Sequence, residues 1–180
     1  TGRRLGLRER ILLRDSVGSF ELGGVARIAV RIALMTLIVE AIGAVIILAN
    51  FAALGREPLQ SAWQAVFLSV SAFNNAGFDL SGGFQSLIGF RGDNISLLVV
   101  AMLCVIGGTG YFVLSEMYRT RSLVRLSVDS KIVLSAMFTF WLLGASVILI
   151  AEHSTPATLG DLNWPDKLVH SFFQSISSRT

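Results

Sequence analysis

Residues 71–83 read S-A-F-N-N-A-G-F-D-L-S-G-G and lie between two long apolar segments of the chain. This stretch is too polar and too rich in glycine to continue a membrane helix, because asparagine and glycine favour turns. Backbone that is not helical is tolerated at membrane depth only where it is buried in protein or lines a cavity. The stretch therefore predicts a re-entrant loop whose backbone carbonyl groups face a pathway for cations.

The composition is that of an integral membrane protein. Of the 180 residues, 53% are hydrophobic and 15% are charged, whereas an average soluble domain carries about 25% charged residues. The charges cluster and leave long neutral segments between them, which predicts membrane-spanning helices. A net charge of +3 would also suit a nucleic-acid-binding protein, but the basic residues lie beside apolar segments, as the positive-inside rule describes. We therefore expect contact with a lipid bilayer and none with nucleic acid.

The chain starts with a basic linker, residues 1–27, in which six arginines outnumber three acidic residues. This excess predicts a cytoplasmic location, and a short surface helix and a solvated linker both remain open. Residues 28–49 are long enough to cross a hydrocarbon core of about 30 Å. Glu40 lies near the middle of this span, where a carboxylate is costly unless it faces protein or water. We favour a structural hydrogen bond from Glu40 over a direct functional role.

Residues 62–73 are apolar but too few to span the membrane, so they predict a pore half-helix that ends at a filter segment, residues 74–79. A second span, residues 95–118, follows a glycine-rich external loop and completes one repeat, residues 28–118. The sequence G-G-T-G interrupts this span at residues 107–110. Close helix packing is the favoured interpretation, and a kink that widens the inner vestibule of a pore is the alternative.

A basic loop, residues 119–131, carries three arginines and one lysine against one aspartate, which predicts a second cytoplasmic segment. Residues 132–180 then repeat the order in part. A third span at 132–151 is followed by a second half-helix at 166–177 and the start of a second filter at 178–180. The predicted fold class is a multi-pass, all-α integral membrane protein, in which repeated units of span, half-helix and span surround a central cation pore, as in potassium channels.

The order of elements predicts an internal repeat. Displacing the chain by 105 residues lays Thr180 on Asn75 and Phe172 on Phe67, and it lays the third span on the first. Few residues are identical, but the architecture matches throughout. Because both half-helices lie on the external side, the repeats run in the same direction and should surround an axis normal to the membrane.

Two segments of the chain resemble the Trk/Ktr/HKT superfamily of potassium transporters. They are residues 70–78, V-S-A-F-N-N-A-G-F, and residues 106–111, I-G-G-T-G-Y. Residues 174–180, Q-S-I-S-S-R-T, resemble the opening of the next filter, which normally continues with Ala-Gly-Phe. The resemblance is closer to the bacterial Ktr and Trk membrane subunits than to plant members. It implies four repeats around one pore, of which this internal fragment would hold the second and the first half of the third.

The resemblance also implies an activity and partners. We expect the pore-forming membrane subunit of a potassium uptake transporter in the plasma membrane, with K⁺ as the transported ion, Na⁺ as the alternative ion and no cofactor in this chain. The implied partners are the rest of the transporter chain, a second copy in a membrane homodimer and a cytoplasmic nucleotide-binding regulatory subunit.

The residues of the first loop suit a carbonyl filter. Such a filter replaces the water around potassium with carbonyl oxygens. Gly77 stands where the backbone needs a conformation that a Cβ disfavours. Asn75, Ala76 and Phe78 would supply neighbouring carbonyls, with the carbonyls of residues 75–77 as the K⁺ ligands, and Thr180 would open the second segment. The alternative is that N-N-A-G forms an ordinary helix C-cap, although the filter in this architecture is itself the cap.

Three residues are predicted to support the filter, namely Asn74, Glu40 and Arg179. We expect Asn74 to form a hydrogen bond behind the loop. For Arg179 two interpretations remain open, because its charge either repels cations or braces the loop through a carboxylate such as Glu40. The Phe78 ring is expected to pack the loop against its surroundings, and Asp79 is expected to raise the local cation concentration.

A membrane enzyme and a non-conducting membrane scaffold are the alternative functions. The histidines are His153 and His170, Cys104 is remote from both, and no G-x-S-x-G or H-E-x-x-H pattern occurs in the sequence. The sequence therefore predicts no catalytic machinery. A scaffold would not require Asn-Ala-Gly-Phe at the end of a half-helix, so we expect a transporter and not an enzyme.

Overall fold

The computed structural model describes residues 22–80, 86–156 and 158–179, with side chains from residue 27 onward. These residues are helical and contain no strand, which confirms the all-α prediction for this part of the chain. Thr180 and most of the predicted basic linker, residues 1–21, lie outside the described ranges. The chain divides into two compact units, Thr1–Met35 and Thr36–Thr180. The described part of the first unit is helical, and every residue of the candidate site belongs to the second unit.

Six α-helices and two short 3₁₀ turns make up the described chain. The helices are α1 Leu22–Ala53, α2 Pro58–Phe73, α3 Asn94–Thr109, α4 Tyr111–Thr120, α5 Val128–Glu152 and α6 Trp164–Ser177, and the 3₁₀ turns are Ile88–Phe90 and Leu123–Arg125. Helix α3 packs against both short helices, α2 and α6, and α6 also packs against α5. Both predicted half-helices therefore pack against the same helix, α3.

Two helices are long and apolar enough to cross a membrane. They cover Arg27–Ala53 and Val128–Glu152, and the pair α3 and α4 makes a third crossing if the two helices count as one bent span. Large apolar side chains on α1 and α5 are exposed in the chain, with Leu37 62%, Val45 66% and Ile150 73% exposed. Exposed apolar surface on such helices is what a lipid environment requires.

The short helix α2 begins earlier than the apolar pattern predicts, at Pro58 instead of residue 62. The side chain of Glu57 accepts hydrogen bonds from the backbone N–H groups of Leu59 and Gln60, at 3.3 and 2.8 Å. These bonds satisfy two donors that a helix start leaves without partners. Pro58 suits the first helical position because it has no N–H to satisfy. At its other end, the helix ends at Phe73.

The predicted second span is broken at Gly110. This residue has φ 85° and ψ 146°, a backbone conformation that only glycine adopts readily, and α3 and α4 meet there at an angle of 96°. Gly107, three residues earlier, serves helix packing instead. A Cβ on Gly107 would overlap the backbone carbonyl of Phe73 at the end of α2. The packing and kink interpretations of G-G-T-G therefore apply to different glycines.

Helix α1 packs against α2 through a glycine and a serine. A Cβ on Gly43 would lie 2.7 Å from the hydroxyl oxygen of Ser69, so the missing side chain leaves room for that serine. The Ser69 hydroxyl donates a 2.6 Å hydrogen bond to the backbone carbonyl of Glu40, one helical turn before Gly43. Close approach at a small residue together with a serine hydrogen bond is a common way to join helices in membranes.

The same packing recurs between α5 and α6. A Cβ on Gly144 would overlap the hydroxyl oxygen of Ser175, and that hydroxyl donates a 2.9 Å hydrogen bond to the carbonyl of Trp141, one turn before Gly144. Donor and acceptor are 29 residues apart in the first pair of helices and 34 in the second. The connection between the helices is therefore longer in the second pair, and no single displacement such as 105 residues aligns both packing sites.

We predict that Gly107→Ala lowers the free energy of unfolding by about 2 kcal/mol, since the new methyl group displaces the end of α2. Gly108→Ala is the matched control, because a Cβ there would lie 3.6 Å from its nearest neighbour, the Asn75 side-chain nitrogen, which is ordinary contact distance. Thermal unfolding in detergent, followed by tryptophan fluorescence, measures the difference. Equal melting temperatures for the two variants would contradict the close packing of Gly107.

Candidate functional site

Both predicted loop segments line one cavity of about 850 Å³. The first segment contributes Asn75, Gly77 and Phe78, and the end of α6 contributes Ser177 and Ser178. The other lining residues come from α2, α3, α5 and α6 and from the loops before α3 and α6. Two segments that lie about a hundred residues apart in sequence thus line the same cavity.

The first segment begins as a cap on the C-terminal end of α2. Asn75 adopts a left-handed conformation with φ 52°. Its backbone N–H donates to the carbonyl of Ala72 at 3.1 Å, and the N–H of Ala76 donates to the carbonyl of Ser71 at 2.9 Å. This pair of bonds is the Schellman arrangement, which satisfies carbonyls that a helix end leaves without partners. The helix-cap interpretation of N-N-A-G therefore describes the local geometry, and the same residues line the cavity.

Gly77 is required by backbone conformation and not by lack of space. Its φ is 71°, in the left-handed region, and a Cβ added to it would have no neighbour within 4 Å. A side chain in this conformation brings its Cβ close to the following carbonyl oxygen, which costs about 1–2 kcal/mol. Any other residue at this position therefore strains the loop without making a clash.

Phe78 is attached to the helix through its backbone. Its carbonyl accepts a 2.7 Å hydrogen bond from the hydroxyl of Ser71, in the last turn of α2. The Phe78 ring is 69% exposed in the structure, so the expectation that this ring packs the loop is wrong for the described chain. The carbonyl hydrogen bond holds this part of the loop instead.

Glu40 and Asn74, two of the predicted support residues, are in direct contact. Glu40 is only 8% exposed, and its Oε1 accepts a 2.8 Å hydrogen bond from Nδ2 of Asn74. The same Asn74 nitrogen donates to the carbonyl of Val70 at 2.9 Å. The amide therefore links the middle of α1 to the end of α2, directly before the first loop.

Arg179 does not brace the loop through Glu40, whose carboxylate is paired with Asn74. The guanidinium carbon of Arg179 lies 5.6 Å from the centre of the Phe140 ring, a cation–π distance to helix α5. Its backbone N–H donates to the carbonyl of Ile176 at 3.2 Å, as part of the turn that ends α6. Thr180, the predicted first residue of the second filter, lies outside the described residues.

Sequence reasoning missed a buried carboxylate where the C-terminal end of α1 meets the start of α3. Asp93 is 6% exposed, and its Oδ1 accepts hydrogen bonds from Nδ2 of Asn50 at 2.6 Å and from the backbone N–H of Ser96 at 3.0 Å. Its Oδ2 lies 3.8 Å from the guanidinium of Arg56. Asp93 therefore caps α3 and joins it to the end of α1. An aspartate directly before an apolar segment is a helix-start pattern, which the sequence offered.

Further polar contacts join Arg91 and Asn94, around the start of α3, to α6 and to the segment that precedes it. The Arg91 guanidinium donates to the carbonyl of Thr158, and the Nε2 of His170 lies 2.9 Å from the carbonyl of Arg91. Asn94 donates to the carboxylate of Asp166 at 2.7 Å. These bonds connect the predicted first repeat to the predicted second repeat beside the cavity, and Arg91 and His170 also line it.

Glu116 joins the far end of the bent pair to the next long helix. Its carboxylate accepts hydrogen bonds from the backbone N–H of Ser127 at 2.7 Å and from the Ser127 hydroxyl at 2.8 Å. It also accepts a hydrogen bond from the hydroxyl of Ser130. Helix α4 thereby holds the N-terminus of α5, and nothing in the local sequence of Glu116 predicts this contact.

Apolar helices long enough to cross a membrane, together with a polar loop beside a cavity, are features of a helical membrane protein. Comparison with known proteins specifies the family: residues 5–180 match the family described as "TrkH: Cation transport protein". The chain belongs to this family. It is a family of cation transport proteins and not of enzymes, which confirms both the predicted superfamily and the expectation about catalysis.

Three curated relatives match nearly the whole chain. The Ktr system potassium uptake protein B of Bacillus subtilis is 32% identical over 184 residues, which cover 99% of this chain and 40% of the relative. The protein of the same name from Vibrio alginolyticus is 32% identical, with 99% and 39% covered. The potassium/sodium uptake protein NtpJ of Enterococcus hirae is 27% identical, again with 99% and 39% covered. The chain thus spans about two-fifths of the length of these relatives.

We predict that Asn74→Asp lowers the free energy of unfolding by about 1–3 kcal/mol, since it removes the donor and places a second carboxylate beside Glu40. Adding Glu40→Gln to this variant restores a donor and an acceptor in reversed order, so the double variant should recover most of the loss. Contacting pairs show coupling energies of about 0.5–3 kcal/mol. Thermal unfolding of the two single variants and the double variant measures this coupling.

Asn163→Asp is the control for that experiment. Asn163 is the exposed N-cap of α6, where aspartate and asparagine cap a helix about equally well. Strictly additive effects of the substitutions at positions 40 and 74 would contradict the hydrogen bond between them.

Proposed function

We propose that this chain is part of the pore-forming membrane subunit of a potassium uptake transporter in the cell membrane. The observation that carries the proposal is the convergence of two loop segments on one cavity, each at the C-terminal end of a short helix. The C-terminal end of a helix carries a partial negative charge, which favours a cation. The relatives named as potassium uptake proteins support the same conclusion.

The ion ligands in this proposal are the backbone carbonyls of Asn75, Ala76 and Gly77. The left-handed conformations of Asn75 and Gly77 support this assignment, because they alter the direction of successive peptide groups in a way that a helix or a strand does not. Phe78 forms the outer end of the segment, where its carbonyl accepts a hydrogen bond from Ser71. Glu40 and Asn74 support the segment from behind.

Four repeats supply the complete filter in this proposal. Residues 28–118 form one repeat and residues 132–180 form part of the next, with Thr180 opening the second segment. The recurring contact of a glycine with a serine, between α1 and α2 and again between α5 and α6, supports two copies of one unit. The remaining segments would come from the rest of the transporter chain, in agreement with the relatives' greater length.

The charges support one orientation in the membrane. Residues 1–27 and 119–131 carry most of the basic residues and would be cytoplasmic, with α3 and α4 acting together as one bent crossing. In this orientation the short helices lie in the external half of the membrane, and the cavity opens to the outside. Arg91, His170 and Asp166, which join the outer loop to α6, would lie on this external side.

The names of the relatives also suggest partners and ions. Two of the three relatives are each named as protein B of a Ktr system, which supports partners beyond this chain. We propose a membrane homodimer and a cytoplasmic nucleotide-binding regulatory subunit. NtpJ is named for both potassium and sodium, so Na⁺ is a second candidate ion, and no cofactor is required in this chain.

We predict that Gly77→Ser in the intact transporter weakens the preference for K⁺ over Na⁺ by about fivefold or more, since the strain at this φ is about 1–2 kcal/mol. Gly89→Ser is the matched control, because a Cβ there would also have no neighbour within 4 Å and its φ is not positive. Competition between the two ions in uptake experiments measures the preference. Unchanged selectivity in Gly77→Ser at normal abundance would contradict the filter assignment.

A further inference from the structure

We propose that Ser71 is a positioning residue of the filter, and that its hydroxyl sets the ion selectivity of the segment it holds. This inference rests on the proposed function, because it concerns how the same loop discriminates between ions. Ser71 lies in the last turn of α2, lines the cavity and is 8% exposed. None of its atoms is a proposed ion ligand.

Ser71 holds the loop at two points. Its backbone carbonyl accepts the N–H of Ala76 at 2.9 Å, and its hydroxyl donates to the carbonyl of Phe78 at 2.7 Å. The two bonds enclose the peptide groups on either side of Gly77 within a ring that closes on a single helical residue. The first bond exists for any residue at position 71, whereas the second requires a side-chain donor.

Gly77 makes the second bond necessary. A glycine rotates more freely than any other residue, and no side chain holds this one in place. If the Phe78 carbonyl lost its partner, the peptide groups beside Gly77 would be tethered at one end only. A carbonyl filter depends on the number and the direction of its oxygens, so a looser segment should discriminate less between K⁺ and Na⁺.

A second serine in α2, Ser69, does not hold the loop. It is fully buried, two residues from Ser71, and its hydroxyl donates to the carbonyl of Glu40 on α1. That bond joins two helices and does not touch the loop. Ser69 is therefore a matched control, which separates the stability of the helix pair from the geometry of the filter.

The test compares K⁺ and Na⁺ uptake by the intact transporter in cells that lack their own potassium uptake, with each value normalised to the amount of protein in the membrane. Ser71→Ala removes the donor, Ser71→Cys keeps the size with a much weaker donor, and Ser71→Thr keeps the hydroxyl. We expect Ser71→Ala and Ser71→Cys to lower the K⁺/Na⁺ preference by about two- to tenfold, the effect of one lost hydrogen bond. Ser71→Thr should stay near the wild type.

The control Ser69→Ala should lower abundance or melting temperature and leave the ion preference unchanged. A wild-type preference in both Ser71→Ala and Ser71→Cys, alongside selective uptake by the wild type, would overturn the role of Ser71 and leave the proposed function standing. A loss as large in Ser71→Thr as in Ser71→Ala would also overturn it, because packing and not the hydroxyl would then matter. If Ser71→Ala does not reach the membrane, the K⁺/Na⁺ preference of Ser71→Cys alone decides whether the hydroxyl of Ser71 sets selectivity.

Absence of K⁺ uptake by the wild-type protein would overturn the proposed function and this inference with it. The two failures are therefore distinguishable, since one is measured on the wild type and the other on the ratio between variants.

Discussion

The C-terminal end of α2 sets the constraint on which the site depends. A helix that ends inside an apolar protein must find partners for its last carbonyl groups, because each unsatisfied group in such surroundings costs several kcal/mol. Here the carbonyls of Val70, Ser71 and Ala72 accept the N–H groups of the loop that follows, and the carbonyl of Phe73 lies against Gly107. The carbonyl groups at the end of α2 thus fix the conformation of the loop that follows the helix.

Several polar side chains outside the loop connect helices. Association of apolar helices in lipid has little hydrophobic driving force, so close packing and interhelical hydrogen bonds determine which faces meet. Asn74 reaches Glu40, Asp93 reaches Asn50, and Ser175 reaches the carbonyl of Trp141. These bonds join α2 to α1, the start of α3 to α1, and α6 to α5.

Two findings determine how far the function of this chain can be stated, namely its family and the part of its relatives' length that it covers. The chain belongs to a cation transport family and spans about two-fifths of its curated relatives. A cavity lined by two segments is consistent with half of a four-part filter, in which Gly77 belongs to one wall. In the proposed function, Ser71, Glu40 and Asn74 support that wall alone and not the complete ion site.

The sequence by itself determined the membrane class, the helical fold and the end of the half-helix at Phe73, because hydropathy, segment length and the turn preference of Asn-Asn-Ala-Gly are local properties. It also indicated Gly77, whose φ of 71° only glycine adopts without strain. Tertiary structure alone decided that Glu40 pairs with Asn74 and not Arg179, that Gly107 meets Phe73, and that α3 bends away from α4 at Gly110. Some of these contacts join residues that are far apart in sequence, such as 40 and 74, which are 34 positions apart. They depend on how the helices cross, and no local sequence pattern encodes that.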